Sequence, residues 1–141
     1  MTIIDAISIK FKQTKFMKYI LKAEFLALLI FFGYLLFQNP LMSWWIVLLF
    51  WLPDAGFLAY LIHPKLGLVG YNFTHFIGTG LVLLVLGYFL KIEWLIFAGL
   101  IDLTHIHFDR FFGYGLKYSD SFNHTHLGWI GKDKSKNTSL I

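Results

Sequence analysis

Histidine and aspartate recur in the apolar parts of this chain at spacings that put them on shared helix faces. Asp102, His105 and Asp109 follow an i, i+3, i+7 pattern, and Asn72, His75 and Thr79 repeat it. Asp54 follows Pro53, Glu24 opens the first apolar run, and His126 lies beyond the last. An imidazole and a carboxylate at i, i+4, as in His105 and Asp109, can bind one metal ion from one helix face. His75, Asp54 and His126 complete a set of nitrogen and oxygen donors that suits zinc, manganese or iron, and magnesium less well. A metal held there lowers the pKa of bound water, and Glu24 or an unligated carboxylate such as Asp54 can act as general base. Arg110 and Lys117 are placed to hold a phosphate or an anionic lipid head. Asn72, Thr79, Tyr114 and Tyr118 are the supporting polar groups. The plain alternative is a hydrogen-bonded network that only fixes helix packing, with Arg110 and Lys117 snorkelling to water.

The elements that must position these residues are apolar. Of the 141 residues, 57 % are hydrophobic and 14 % charged. A soluble domain carries about 25 % charged residues, so a soluble fold of this length is excluded. Cysteine is absent, which excludes disulfides and thiolate metal sites. The net charge of +4 gives no nucleic-acid signal, because the lysines gather at the two ends. Four apolar runs cover about Ala23–Phe37, Trp44–Ile62, Leu66–Leu90 and Trp94–Phe112, each near the ~20 residues that cross a bilayer. Asn39-Pro40, His63-Pro64, the Lys91–Glu93 turn and Gly113 end them. Trp44, Trp45, Trp94 and Tyr88 stand where an aromatic belt belongs. The expected architecture is an all-α, integral membrane four-helix bundle, with a polar His/Asp cluster near its cytoplasmic side.

Residues 1–22 read as a basic amphipathic segment, with Ile4, Ile7 and Phe11 at helical spacing among five lysines. No cleavable signal peptide is visible, so this segment is expected to be retained. Residues 23–131 form the membrane domain with a C-terminal cap, and 132–141 a disordered tail. Lysine distribution places both termini and the Lys65 loop in the cytoplasm. Counted along helices from that face, Asp54 and His75 lie roughly 12 Å deep, His105 about 10 Å and Asp109 about 5 Å. Gly67, Gly70, Thr74 and Gly78 form a separate ridge suited to close helix packing.

Several strings resemble one family. Pro53-Asp54, Tyr71-Asn72-x-x-His75, the run His105-Ile106-His107-Phe108-Asp109-Arg110, then Gly113-Tyr114-Gly115-Leu116-Lys117-Tyr118 and Thr125-His126-Leu127-Gly128 are similar to the bacterial membrane family called domain of unknown function 4260. The resemblance runs from about Glu24 to Gly131. It implies a multi-pass protein of the bacterial cytoplasmic membrane. It covers Glu24, Asp54, Asn72, His75, His105, Asp109, Arg110, Lys117 and His126, and leaves Asp102, His107 and His124 outside. It implies no activity. Small inner-membrane metal-dependent hydrolases offer a looser analogy.

The first functional expectation is a metal-dependent hydrolase acting on a lipid or lipid-linked phosphate from the cytoplasmic leaflet. The second is a proton- or ion-coupled transporter using the same groups as a relay, which with so few helices needs a homo-oligomer. A bis-histidine haem site on His75 and His105 is disfavoured by the crowd of carboxylates, and a structural protein without chemistry completes the alternatives.

Overall fold

The computed structural model describes residues 3–139, with side chains described at Ile4 and from 15 to 137. The chain is all-α apart from one small hairpin. Helix α1 runs Ile3–Phe37, α2 is the short Ile46–Leu49, and a 3-10 helix spans Leu52–Leu61. Then come α3 (Pro64–Thr74), α4 (Ile77–Leu90) and α5 (Glu93–Phe112). A cap follows, made of β1 (His124–Thr125) antiparallel to β2 (Gly128–Trp129), a 3-10 turn Gly131–Asp133 and α6 (Lys136–Ser139).

Among the described residues one helix, over Lys15–Phe37, is long and apolar enough to cross a membrane, in place of the four spans expected; the pair α3–α4, bent by 50° at its break, reaches that length only when its two halves are counted as one. The basic N-terminal segment and the first apolar run are one continuous helix. Its amphipathic pattern at Ile7, Lys10, Phe11 and Lys12 lies outside the described side chains. Residues 132–139, expected to be disordered, carry the turn and α6; Asn137 holds them by accepting from Trp129 N at 2.7 Å and donating to Trp129 O at 2.8 Å. Residues 140–141 lie outside the described residues.

The second and third apolar runs depart from the straight helices expected. Pro53 has no N–H to donate and favours a new start; the run becomes α2 and then ten residues of 3-10 helix, long for a class that seldom exceeds a turn or so. The third run breaks at His75 and Phe76, where Thr79 Oγ1 donates to the Phe73 carbonyl at 2.7 Å and satisfies an acceptor freed by the break. That break removes Thr79 from the stripe it was expected to share with Asn72 and His75.

Helix α5 is the centre of the molecule. Residues Leu100 to His107 are buried on every face, and Phe97, Leu100 and Ile101 meet Leu36 of α1 in the apolar core. Glycines set the spacing of its neighbours. A methyl on Gly99 would lie 2.7 Å from Leu84 N and one on Gly87 would lie 2.6 Å from Ile96 N, so α4 and α5 pack backbone to backbone. The ridge on α3 meets the 3-10 helix: a methyl on Gly56 would stand 2.9 Å from both Gly70 O and Thr74 Oγ1, and Gly67 lies under the Tyr60 ring. Gly78 faces its own Phe76 ring instead.

Candidate metal centre

Two donors come from α5. His105 is fully buried, at 0 % exposure, with its ring edge-on to Phe50 and Trp51 at centroid distances of 5.1 and 6.1 Å. Asp109 follows one turn later on the same face. The helix stops soon after, at Gly113, whose φ of 96° suits glycine and closes the last turn.

The third donor sits where α3 ends. His75 is buried and stacks on the Tyr71 ring at 3.9 Å. Its Nδ1 lies 3.0 Å from the Tyr71 carbonyl and 3.1 Å from Thr74 Oγ1. A carbonyl only accepts, so Nδ1 carries a proton, and in the neutral ring Nε2 is the nitrogen with the free lone pair. This is how a metal-binding histidine is usually oriented. The fourth donor, Asp54, opens the 3-10 helix, which Gly56 and Gly70 bring close to α3.

These side chains converge. One ring nitrogen from each histidine and one oxygen from each carboxylate all lie within 4.8 Å of one another. His75 Nε2 is 3.3 Å from Asp54 Oδ1 and 3.4 Å from Asp109 Oδ2. His105 Nε2 is 3.5 Å from Asp54 Oδ1 and 3.9 Å from Asp109 Oδ2. Neither Nε2 is in hydrogen-bond geometry with any described residue, although both are buried. A tetrahedron of ligands about 2.0–2.2 Å from a central ion has edges of about 3.3–3.6 Å. Three of the four nitrogen–oxygen separations fall in that range and the fourth is slightly longer. The charges also fit, since two neutral imidazoles and two carboxylates balance a divalent cation. Without a metal the two carboxylates would repel unless an imidazole between them took up a proton.

The other expected residues are placed elsewhere. His126 is not in the group; its Nδ1 accepts from Leu116 N at 2.8 Å and its ring lies against Gly115. Desolvation by the packed cap and the Arg110 charge lower its pKa below the usual histidine value, although the residue as a whole is exposed. Glu24 is exposed on α1 and absent from the group, because α1 contributes no donor to it. Lys117 is buried and locked in an aromatic cage. Its Nζ lies 3.7, 4.8 and 5.4 Å from the centroids of Phe122, Tyr71 and Phe57 and donates to Phe122 O at 3.0 Å. Burial pushes its pKa down. An ammonium so engaged is not presented to a phosphate. Asn72 clamps the same residue from below, donating to Lys117 O at 2.9 Å and accepting from Lys117 N at 2.8 Å.

Arg110 is half-buried, with its guanidinium 5.9 Å from the Phe25 centroid. Tyr114 and Tyr118 are exposed, Tyr118 against the His124 ring at 4.6 Å. His124 pairs with Asp120 at 2.7 Å, and that bond lowers the Asp120 pKa. His107 is buried, donates from Nδ1 to Leu103 O at 2.6 Å and stacks on Phe32. Asp102 is buried with one oxygen lacking a partner among the described residues, facing Gly80. Sequence reading missed Tyr71, whose spacing of i−4 from His75 was the available signal, and Phe50 and Trp51, for which no signal existed.

The family described as Domain of unknown function (DUF4260) matches residues 18–130, and the chain belongs to it. Comparison with curated proteins and with solved structures finds no match.

Proposed function

We propose that this family member is an integral membrane protein holding a divalent transition metal on Asp54, His75, His105 and Asp109, and that the centre serves hydrolysis of a lipid or lipid-linked phosphate. The observation that carries the reading is the convergence of two buried Nε2 atoms, neither in hydrogen-bond geometry with a described residue, on two carboxylate oxygens. Zinc, manganese and iron match this donor set. The carboxylates crowd the space that a porphyrin would need, which removes the haem alternative.

Membrane insertion is supported by an inverted surface. Leu61 is 85 % exposed, Trp44 79 % and Tyr88 73 %, whereas His105 and His107 are buried. Such a surface suits lipid and not water. The bacterial cytoplasmic membrane, with the Lys18 end of α1 on the cytoplasmic side, follows the positive-inside reading.

The residues divide the work. His75 is fixed in one tautomer by Tyr71 O. His105 is held by packing alone. Asp109, the less exposed carboxylate at 16 %, is the permanent anion, and Asp54 at 30 % is the donor reachable from outside. A bound metal would supply Lewis acidity and an activated water. Four protein donors would fill a tetrahedral ion, so an ion that takes more ligands would be needed to supply the water, and Asp54 would be the carboxylate placed to hold its proton.

The test is metal content and chelator-dependent melting of protein purified in mild detergent without chelator. Parent protein is expected to carry about one metal ion per chain and to lose melting temperature in strong chelator. His105→Gln, which keeps polarity but is a poor ligand, is expected to lose the metal and the chelator response while remaining monodisperse. Metal-free parent protein with chelator-blind melting would sink the metal reading and leave the same groups as a proton-sharing network.

A further inference from the structure

A second feature lies beside the centre. A cleft of about 310 Å³ opens between α1 and the cap. Lys18, Lys22, Arg110 and Lys134 line it, and among the described residues no carboxylate does. Lys18 and Lys22 are one turn apart on the same face of α1. Arg110 comes from the end of α5 and Lys134 from the cap, so three separate segments each bring a cation to one space. None of the four makes an ion pair with an acidic side chain among the described residues. Like charges gathered this way repel unless an anion lies between them.

The Lys134 position is built and not incidental. Lys134 N donates to Gly131 O and Asn137 N to Lys134 O, both at 3.2 Å, and the Asn137 side chain grips the Trp129 backbone. Asn123 Nδ2 anchors the same turn through Asp133 Oδ2 at 2.8 Å. The remaining wall is apolar, with Leu21, Phe25 and Leu127 facing the same cleft. Lys18 and Lys22 fall within the first two turns of the apolar span Lys15–Phe37, where lipid headgroups would lie.

We propose that this cleft binds the phosphate headgroup of an anionic lipid, with the cations on the phosphate and the apolar wall on the first methylenes of the chains. A free phosphate shares the charge chemistry but would leave the apolar wall unused. The site's role in presenting substrate rests on the hydrolase reading above; its binding does not, because none of its cations is a metal donor.

The experiment measures retention of short-chain phosphatidic acid by the detergent-purified protein, using native mass spectrometry. Phosphatidylcholine of the same chain length and inorganic phosphate are the comparisons. Parent protein is expected to retain phosphatidic acid over phosphatidylcholine and over phosphate. Lys22→Gln and Lys134→Gln are each expected to weaken retention about fivefold, as one lysine near an anionic headgroup should. Lys65→Gln, outside the cleft, is expected to change nothing. Equal retention of the two lipids, or indifference to both lysine changes in variants that still melt like the parent, overturns the proposal. Displacement of phosphatidic acid by an equal concentration of inorganic phosphate overturns the lipid assignment. His105→Gln separates the two readings, since it should lose metal yet still retain phosphatidic acid.

Discussion

Lys117 shows how far a residue's chemical type can mislead about its role. A lysine two residues past Gly115, near an arginine, reads as an anion ligand, yet the Phe57, Tyr71 and Phe122 rings and the Phe122 carbonyl already satisfy its ammonium. Its positive charge fastens the cap to α3 and the 3-10 helix. Lys117→Met keeps the aliphatic stem and removes the ammonium. It is expected to cost about 2 kcal/mol, the scale of a desolvated cation–π contact, seen as a lower melting temperature. Phosphatidic acid retention should be unchanged, which an anion-binding lysine would not allow. His75, expected within an unbroken helix, lies instead at the break that ends α3. Its i−4 carbonyl fixes the ring and leaves the other nitrogen bare.

The elements position these residues through close backbone contact, and two glycines test that. Gly33 on α1 has only ordinary contact around it, with Thr104 Cγ2 at 3.9 Å from an added methyl. Gly33→Ala should therefore stabilise the helix by about 1 kcal/mol, the propensity difference between the residues. Gly56→Ala must push the 3-10 helix off Gly70 O and Thr74 Oγ1. The change carries Asp54 with it, and metal affinity is expected to fall at least about tenfold, a typical cost of disturbing a ligand's support. Metal titration of both variants checks the contrast. Much of this site was legible beforehand. The i, i+4 pair His105 and Asp109 follows from helix periodicity, and Asp54 and His75 stood out as polar residues within apolar runs. The 3-10 path of residues 52–61 and the break at Phe76 were not legible, because both depend on tertiary contact and not on local pattern. The exclusion of His126 was illegible for the same reason: Leu116 N takes its ring nitrogen only once the cap has folded.

At the scale of the whole molecule, the cleft lining places the cap beside the Lys18 end of α1, while Gln38 and Pro40 lie at the opposite end of that helix. If α1 spans the bilayer, the cap and residue 40 must lie on opposite sides. Reporter fusions at residues 40 and 141 are expected to report exterior and cytoplasm respectively. A cytoplasmic signal from both would mean that α1 lies along the surface. The apolar perimeter, with Leu61, Trp44 and Tyr88 outward and the histidines inward, would then have no lipid to face.

The clamp between Asn72 and Lys117 also fixes a calendar for biosynthesis. Asp54 and His75 leave the ribosome well before His105 and Asp109, because chains are made and fold from the N-terminus onward. Until α5 emerges, half of the donor set has nothing to close on, so a nascent chain can hold a metal only weakly. The cap emerges later still, and only then can Asn72 of α3 hold the Lys117 backbone. A metal bound on this donor set would therefore be taken up only after α5 is made, and Asp54, 30 % exposed, leaves it a way in once the cap has docked. A chain made while the ion is scarce would then fill later, once the supply returns.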